Sequence, residues 1–183
     1  LAGLSEATQA IVWRLREPVE AIALAAKGYG IVEFKPSGDG KVRLPLRTNG
    51  YATLSWKTAE VMGLAVGSEY SDESRFSRWL NYYGPPGTIA SYSFYRMLER
   101  DHVPLAAFSN KVVFVGAQSQ TGYSGGLDTF KTPYSRWVGE SSGVEIVATA
   151  YLNLFRGDWL NRTAPLTEFL LLVSAGLVLG GGL

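Results

Sequence analysis

Apolar residues recur at intervals of three and four near both ends of the chain, which is the spacing of one helix face. Residues 5–27 have this pattern, interrupted by Pro18, which either kinks one helix or begins a second. Residues 143–155 repeat it through Val144, Val147, Ala148, Tyr151 and Leu152. We therefore predict amphipathic helices in both segments. A third, over residues 55–62, is expected to be capped by Ser55 and ended by Gly63.

Apolar runs of other kinds predict strands. Residues 41–46 alternate polar and apolar positions after Asp39-Gly40, a pair that favours a hairpin turn. Residues 79–83 are an aromatic run that a Gly-Pro turn ends. Residues 111–116, Lys-Val-Val-Phe-Val-Gly, form the clearest strand, and their continuous apolarity predicts burial on both faces, as in a parallel sheet. The predicted fold is α/β, a mixed, largely parallel sheet flanked by helices, with residues 118–139 as a long loop.

The last part of the chain is almost uncharged. Glu168 is the one charged residue after position 163, and residues 170–173 are apolar on every helical face. Because a membrane span needs about 20 apolar residues, we predict that residues 166–183 are the start of a transmembrane helix. A buried C-terminal helix is the alternative. Residues 1–165 are expected to form one domain, and the chain, which lacks an initiator Met, is expected to be a piece of a longer protein.

Composition and charge exclude several classes of function. The 183 residues include 17 basic and 16 acidic side chains, a net charge of +1, without the basic excess typical of nucleic-acid binding. There is no cysteine, which rules out disulfides and thiol nucleophiles, and one histidine, which rules out multi-histidine metal sites. We therefore predict no nucleic-acid partner, no metal and no cofactor.

One short motif suggests catalysis. Residues 122–126, Gly-Tyr-Ser-Gly-Gly, match the G-x-S-x-G pattern of serine hydrolases, which places Ser on a sharp strand-to-helix turn. Here a loop with Pro133 follows the motif. His102 is the one available base, and neither common triad order is met, because no aspartate lies between His102 and Ser124. A membrane-bound hydrolase that uses Ser124 is kept as an alternative function.

Acidic and aromatic residues in the second half of the chain suggest two kinds of site. Asp128, Glu145 and Asp158 can converge on a hard cation, although helix caps and turn partners are the simpler interpretation. The tyrosines and tryptophans of residues 79–137 can line a ligand pocket, or can anchor the core and loops.

A series of short motifs is similar to a known family. They comprise residues 80–86, residues 111–117, Asp128 with Thr132-Pro133, residues 143–146, and Asn153-Leu154 with Trp159-Leu160. In this order they resemble the type 2 CHASE domain, the sensory extracellular domain associated with cyclases and histidine kinases. The resemblance covers roughly residues 28–183. The family's N-terminal membrane helix and its first strand-helix unit are absent, so the domain is expected to be incomplete at its start.

The resemblance implies an extracytoplasmic sensor, anchored in the cell (inner) membrane, whose output enzyme lies across the membrane. That output would be an adenylate or guanylate cyclase or else a histidine kinase, and this segment itself would not be catalytic. The implied partners are the membrane and an unknown small-molecule or envelope signal. Because cyclases work as dimers, the analogy also allows a homodimer. A non-sensing envelope scaffold is a further alternative. The residues predicted to contact the ligand are Tyr83, Asp128, Thr132 and Glu145.

Overall fold

The computed structural model describes residues 18–43, 52–64, 78–98, 103–117, 128–161, 163 and 165–180. The helices in this part of the chain are α1 (Glu20–Ala25), α2 (Leu54–Val61), α3 (Phe94–Leu98), α4 (Ser135–Val138), α5 (Gly143–Arg156) and α6 (Pro165–Gly180). The strands are β1 (Arg78–Trp79), β2 (Thr129–Phe130), β3 (Ser141–Ser142) and β4 (Leu160–Asn161). A short 3-10 helix covers Leu105–Ala107. The chain is therefore a mixed α/β structure, as expected.

Helix α5 is the central element of the fold. Half of its fourteen residues are buried, so it meets protein on more than one face. It ends at Gly157, whose backbone has a left-handed φ of 66° and whose N–H donates to the Asn153 carbonyl at 2.8 Å. Glycine is favoured there because a Cβ strains this conformation. The helix predicted from residues 143–155 is confirmed.

Helix α2 packs against one face of α5. Trp56, Ala59 and Tyr151 form a buried cluster, and Ala59, which is fully buried, lets the two helices approach closely. The predicted cap is wrong: the Thr53 hydroxyl, not Ser55, accepts from the Trp56 N–H at 3.3 Å. Ser55 instead donates its hydroxyl to the Val147 carbonyl of α5 at 2.8 Å, because it already lies within the helix. The predicted stop at Gly63 is confirmed by its φ of 76°.

A second core cluster lies against another face of α5. It is formed by Val42, Leu80 and Ile146, with Phe34 and Phe130 in edge contact at 4.7 Å between ring centroids. The chain segments that contribute to this cluster are joined to neighbouring segments by single backbone hydrogen bonds. The Val42 N–H donates to the Lys131 carbonyl at 2.8 Å, and the Leu80 N–H donates to the Arg43 carbonyl at 2.7 Å. The layer is therefore sheet-like but too sparsely bonded to form long strands.

The prediction of a largely parallel sheet is wrong. Within the described ranges, β1 pairs antiparallel with β4, and β2 pairs antiparallel with β3. A parallel pair needs a crossover of a dozen or more residues, and only residues 131–140, including the short α4, separate β2 from β3. The chain therefore returns beside itself. An isolated bridge between Ile31 and Thr53 is parallel.

Residues 111–117 belong to no helix or strand, contrary to the strand predicted over residues 111–116. Val112 and Phe114 pack towards the cluster of α2 and α5, whereas Val113 and Val115 are 48% and 78% exposed. Alternate side chains therefore point in opposite directions, and only one face is buried. A continuous apolar run does not by itself distinguish burial of one face from burial of two. The predicted loop of residues 118–139 also contains β2 and α4 in its described part.

The hairpin around Asp39-Gly40 is present as a tight turn. Pro36 and Val42 form an antiparallel bridge, and Gly40 has a φ of 75°. The carboxylate of Asp39 pairs with the guanidinium of Arg43 across the turn. This contact holds the pKa of Asp39 well below its usual range.

Helix α6 contains the apolar run that the sequence assigns to the start of a membrane span. It is a helix of sixteen residues, and its apolar side chains are exposed, from Leu166 at 69% to Leu179 at 79%. In the part of the chain that the structure describes, no helix is both long enough and apolar enough to span a membrane. The structure thus shows an exposed apolar helix here, and the predicted transmembrane helix is not shown.

The segment predicted as a strand over residues 79–83 is held mainly by a side chain. After β1, the amide of Asn153 from α5 takes the place of a neighbouring strand. Its Oδ1 accepts from the Asn81 N–H at 2.9 Å, and its Nδ2 donates to the Asn81 carbonyl at 3.1 Å. Asn153 is completely buried. One side chain thus satisfies both backbone groups of Asn81 and ties this segment to α5.

We predict that Asn153→Ala lowers the free energy of unfolding by about 2–4 kcal/mol, because two backbone groups lose their partner in a buried site. Urea unfolding monitored by circular dichroism measures the change. Asn81→Ala is the matched control, since it leaves both backbone bonds in place and removes only the Asn81 side-chain bond to the Asp158 carbonyl. Its expected loss is about 1 kcal/mol. Equal losses in the two variants would contradict the assigned role of Asn153.

Candidate functional site

A small cleft lies where residues 82–89 pass the first two turns of α5. We call it the tyrosine cleft. It is lined by Tyr82, Tyr83, Gly84, Thr88, Ile89, Ser141, Glu145 and Thr149. Its volume is about 10 Å³, which is room for about one water-sized group. The cleft therefore fits a single small chemical group, such as the end of a larger ligand.

A tight turn forms one wall of the cleft, and Glu145 holds it. The Thr88 hydroxyl and N–H both bond to the Pro85 carbonyl, at 2.7 and 3.1 Å. Gly87 has a φ of 87°, which favours glycine, and its N–H donates to Oε1 of Glu145 at 2.8 Å. Glu145 thereby fixes the turn to the first turn of α5 with one of its two carboxylate oxygens.

Two oxygens at the cleft have no partner. Among the described residues, neither Oε2 of Glu145 nor the hydroxyl of Ser141 has a hydrogen bond, and the Ser141 residue is only 4% exposed. The hydroxyl of Thr149 is already used, because it donates to the Glu145 carbonyl at 2.8 Å. The cleft thus offers one carboxylate oxygen and one hydroxyl to a ligand.

The two tyrosines of the cleft are fixed by different partners. The hydroxyl of Tyr82 donates to the Val42 carbonyl at 2.9 Å, and burial raises the pKa of Tyr82 well above its usual range. The hydroxyl of Tyr83 lies 2.8 and 2.9 Å from the two carboxylate oxygens of Asp158. Burial and this hydrogen bond raise the pKa of Tyr83. The guanidinium of Arg156 lies 4.8 Å from the centroid of the Tyr83 ring.

Asp158 extends the contacts of the cleft to the chain that follows α5. Residues 157–159, which we call the connector, join α5 to β4. Asn153 donates its Nδ2 to the Tyr83 hydroxyl at 2.9 Å and to Oδ1 of Asp158 at 3.2 Å. Asn81 donates its Nδ2 to the Asp158 carbonyl at 3.0 Å. Tyr83 therefore belongs both to the wall of the cleft and to the polar network that holds the connector.

Two of the four predicted ligand residues, Tyr83 and Glu145, lie together in the cleft. Asp128 lies at the start of α5, where its carbonyl accepts from the Gly143 N–H at 3.1 Å and where burial raises the pKa of its carboxyl. Its side chain packs so closely on Gly143 that a Cβ there would lie 2.6 Å from Oδ1 of Asp128. Asp128 thus contacts the first residue of α5 and does not line the cleft.

Thr132, the fourth predicted residue, is buried in the turn that leads into α4. Its N–H donates to the Ser135 hydroxyl at 2.8 Å, and its own hydroxyl accepts from the Tyr134 N–H at 3.3 Å. The structure therefore places Thr132 in a local turn and away from the cleft.

The sequence also suggested a catalytic serine and a metal site. Ser124 and His102 lie outside the described residues. Among the residues that the structure describes, no three histidine or carboxylate side chains gather where they would hold a metal ion. Sequence reasoning missed Ser141 and the role of Asn153. Asn153 could have been noticed because it is an amide among apolar residues of a predicted helix. Nothing in the local sequence distinguishes Ser141.

Because the Tyr83 hydroxyl donates a hydrogen bond to Asp158, we predict that the folded protein loses stability at alkaline pH. Because the pKa of Tyr83 is raised on folding, its contribution to stability is complete below the unfolded value of about 10 and is lost as the pH rises beyond it. We expect the difference in free energy of unfolding between wild type and Tyr83→Phe to be about 1–2 kcal/mol at pH 8 and to shrink above pH ~10. Urea unfolding at both pH values measures it.

The control for this experiment is Tyr95→Phe. Tyr95 lies on α3 and is 69% exposed, so removing its hydroxyl should change the free energy of unfolding at pH 8 by less than about 0.5 kcal/mol. A wild-type advantage over Tyr83→Phe that grew with rising pH would refute the assigned hydrogen bond.

Comparison with known proteins agrees with the motifs. The family model described as CHASE2 domain matches residues 2–182, nearly the whole chain. None of the curated proteins and none of the solved structures matches it. CHASE2 domains are extracytoplasmic sensory domains of membrane proteins and are not themselves catalytic. The ordered motifs of its sequence and this match over nearly its full length show that the chain belongs to the CHASE2 domain family.

Proposed function

We propose that this chain senses a small molecule in the tyrosine cleft and passes its state to attached membrane helices. The protein would be a membrane-anchored signal-transduction protein with an adenylate or guanylate cyclase as output, or else a histidine kinase. The proposal rests on the fact that Tyr83 takes part in two places at once. It lines the cleft, and its hydroxyl binds Asp158 of the connector. A ligand that displaces this ring must also disturb the connector.

The connector leads directly to the exposed apolar helix. After residues 157–159 the chain forms β4, which pairs with β1, and then enters α6 at Pro165. A helix that is apolar on all sides is typical of contact with lipid or protein, which supports an anchoring role for this end of the chain. A change at Asp158 would reach α6 through only a few residues.

Signalling of this kind requires different affinities for two conformations. In the described conformation Tyr83, Asn153 and Asp158 share hydrogen bonds, and Arg156 covers the Tyr83 ring. A second conformation would exchange the Tyr83–Asp158 bond for contact with the ligand. The connector would then be released from the cleft wall, and the ligand would shift the balance between the two states.

The two tyrosines provide a matched test of this coupling. Tyr83→Phe keeps the ring in the cleft and removes its link to Asp158, whereas Tyr82→Phe removes a hydroxyl that binds the Val42 carbonyl and no other described residue. A compound library is first screened against the wild-type chain by thermal shift, because a bound ligand raises the melting temperature by mass action. Hits are then applied to the full-length protein in membranes, and cyclase or kinase output is measured.

We expect both variants to bind a hit within about threefold of the wild-type Kd, which is less than 1 kcal/mol. We expect Tyr82→Phe to keep the ligand response of the output and Tyr83→Phe to lose most of it. A normal response in Tyr83→Phe would show that the signal does not pass through Asp158. A library without any stabilising compound would argue for a scaffold that senses nothing.

A further inference from the structure

The tyrosine cleft has a marked chemical preference. Among the described residues, its lining includes one carboxylate and no basic side chain, and two lining oxygens without a hydrogen bond, Oε2 of Glu145 and the Ser141 hydroxyl, can both accept one. The Ser141 residue is only 4% exposed, and it lines the cleft. Both oxygens can accept a hydrogen bond from water or from the donor of a ligand that enters the cleft.

The volume of the cleft limits what can enter. A volume of about 10 Å³ favours a group with one heavy atom over a carboxylate, a phosphate or a planar guanidinium. Anions are also repelled by Glu145. Calcium and magnesium prefer six or more oxygen ligands, and this cleft offers two unpartnered oxygens. A primary ammonium group has the size of water, donates three hydrogen bonds and carries the charge that complements Glu145.

We propose that the tyrosine cleft binds the primary ammonium group of a small amine. Two of its N–H groups donate to Oε2 of Glu145 and to the Ser141 hydroxyl, and its carbon chain extends outward between Tyr83 and Ile89. This inference rests on the proposed sensory function and gives it a ligand class. No covalent step is involved, and Oε1 of Glu145 keeps its bond to the Gly87 N–H.

The probes are ethylammonium chloride, ethanol and acetate, titrated into the full chain and followed by thermal shift and by ¹H–¹⁵N NMR. Ethanol has nearly the same size as ethylammonium without its charge, and acetate has the opposite charge. We expect ethylammonium to raise the melting temperature and to shift the amide signals of Gly87 and Ser141. Ethanol and acetate should bind at least tenfold more weakly. Equal binding of ethanol or acetate would overturn the proposal.

Glu145→Gln removes the negative charge of the side chain and keeps its shape. The amide oxygen of Gln can still accept from the Gly87 N–H, so the turn remains anchored, while the negative charge is lost. We expect the Kd for ethylammonium to rise about tenfold or more, since a hydrogen bond to a charged group is stronger than a neutral one. Ser141→Ala should raise it severalfold. Glu60→Gln, an exposed change on α2, is the control and should leave the Kd unchanged.

An unchanged Kd in Glu145→Gln would overturn the inference even if ethylammonium binds. Nα-acetyl-lysine methylamide presents the same ammonium group on a peptide unit, and tighter binding of this probe than of ethylammonium would assign the source to a lysine side chain. If a neutral or anionic hit from the library changes the output and ethylammonium does not bind, the ammonium inference fails and the sensory proposal stands. If ethylammonium binds as expected and neither it nor any library hit changes the output, the sensory proposal fails and the ammonium inference stands.

Discussion

The buried amide of Asn153 is the contact on which the rest of the site depends. It lies on α5, without exposure to solvent, and binds both backbone groups of Asn81 as a neighbouring strand would. The same amide donates to Tyr83 and Asp158, so one side chain positions the cleft wall and the connector together. Such a network is stable only when each member is satisfied, which makes the cleft sensitive to any change in Asp158.

Helix α5 combines structural and functional roles because different faces meet different neighbours. One face packs on α2 through Ala59 and Tyr151, and another meets the sparsely bonded layer through Ile146. Its first turn carries Glu145, which anchors the turn at Gly87. A rigid helix buried on several faces is suited to carry a small displacement from its beginning to its end, and the connector begins where it ends.

Part of the site was within reach of sequence reasoning. Aromatic clustering and ordered motifs point to Tyr83 and Glu145, and these two residues meet in one cleft. The ordered motifs also point to Asp128 and Thr132, but these residues lie at the start of α5 and in a local turn. Motif order identifies residues that a family shares without distinguishing those that line a cavity from those that support it. Ser141 carried no local signal, because its position depends on the pairing of β2 with β3.

Local sequence was enough to specify the helix over residues 143–155, the glycine stop at Gly63, the turn at Gly40 and the family. These features depend on local spacing and on backbone conformations that few residues adopt. Tertiary structure alone decided the antiparallel pairing, the one-sided burial of residues 112–117 and the use of Asn153 in place of a strand. Each of these depends on contacts between residues distant in sequence, which periodicity cannot specify.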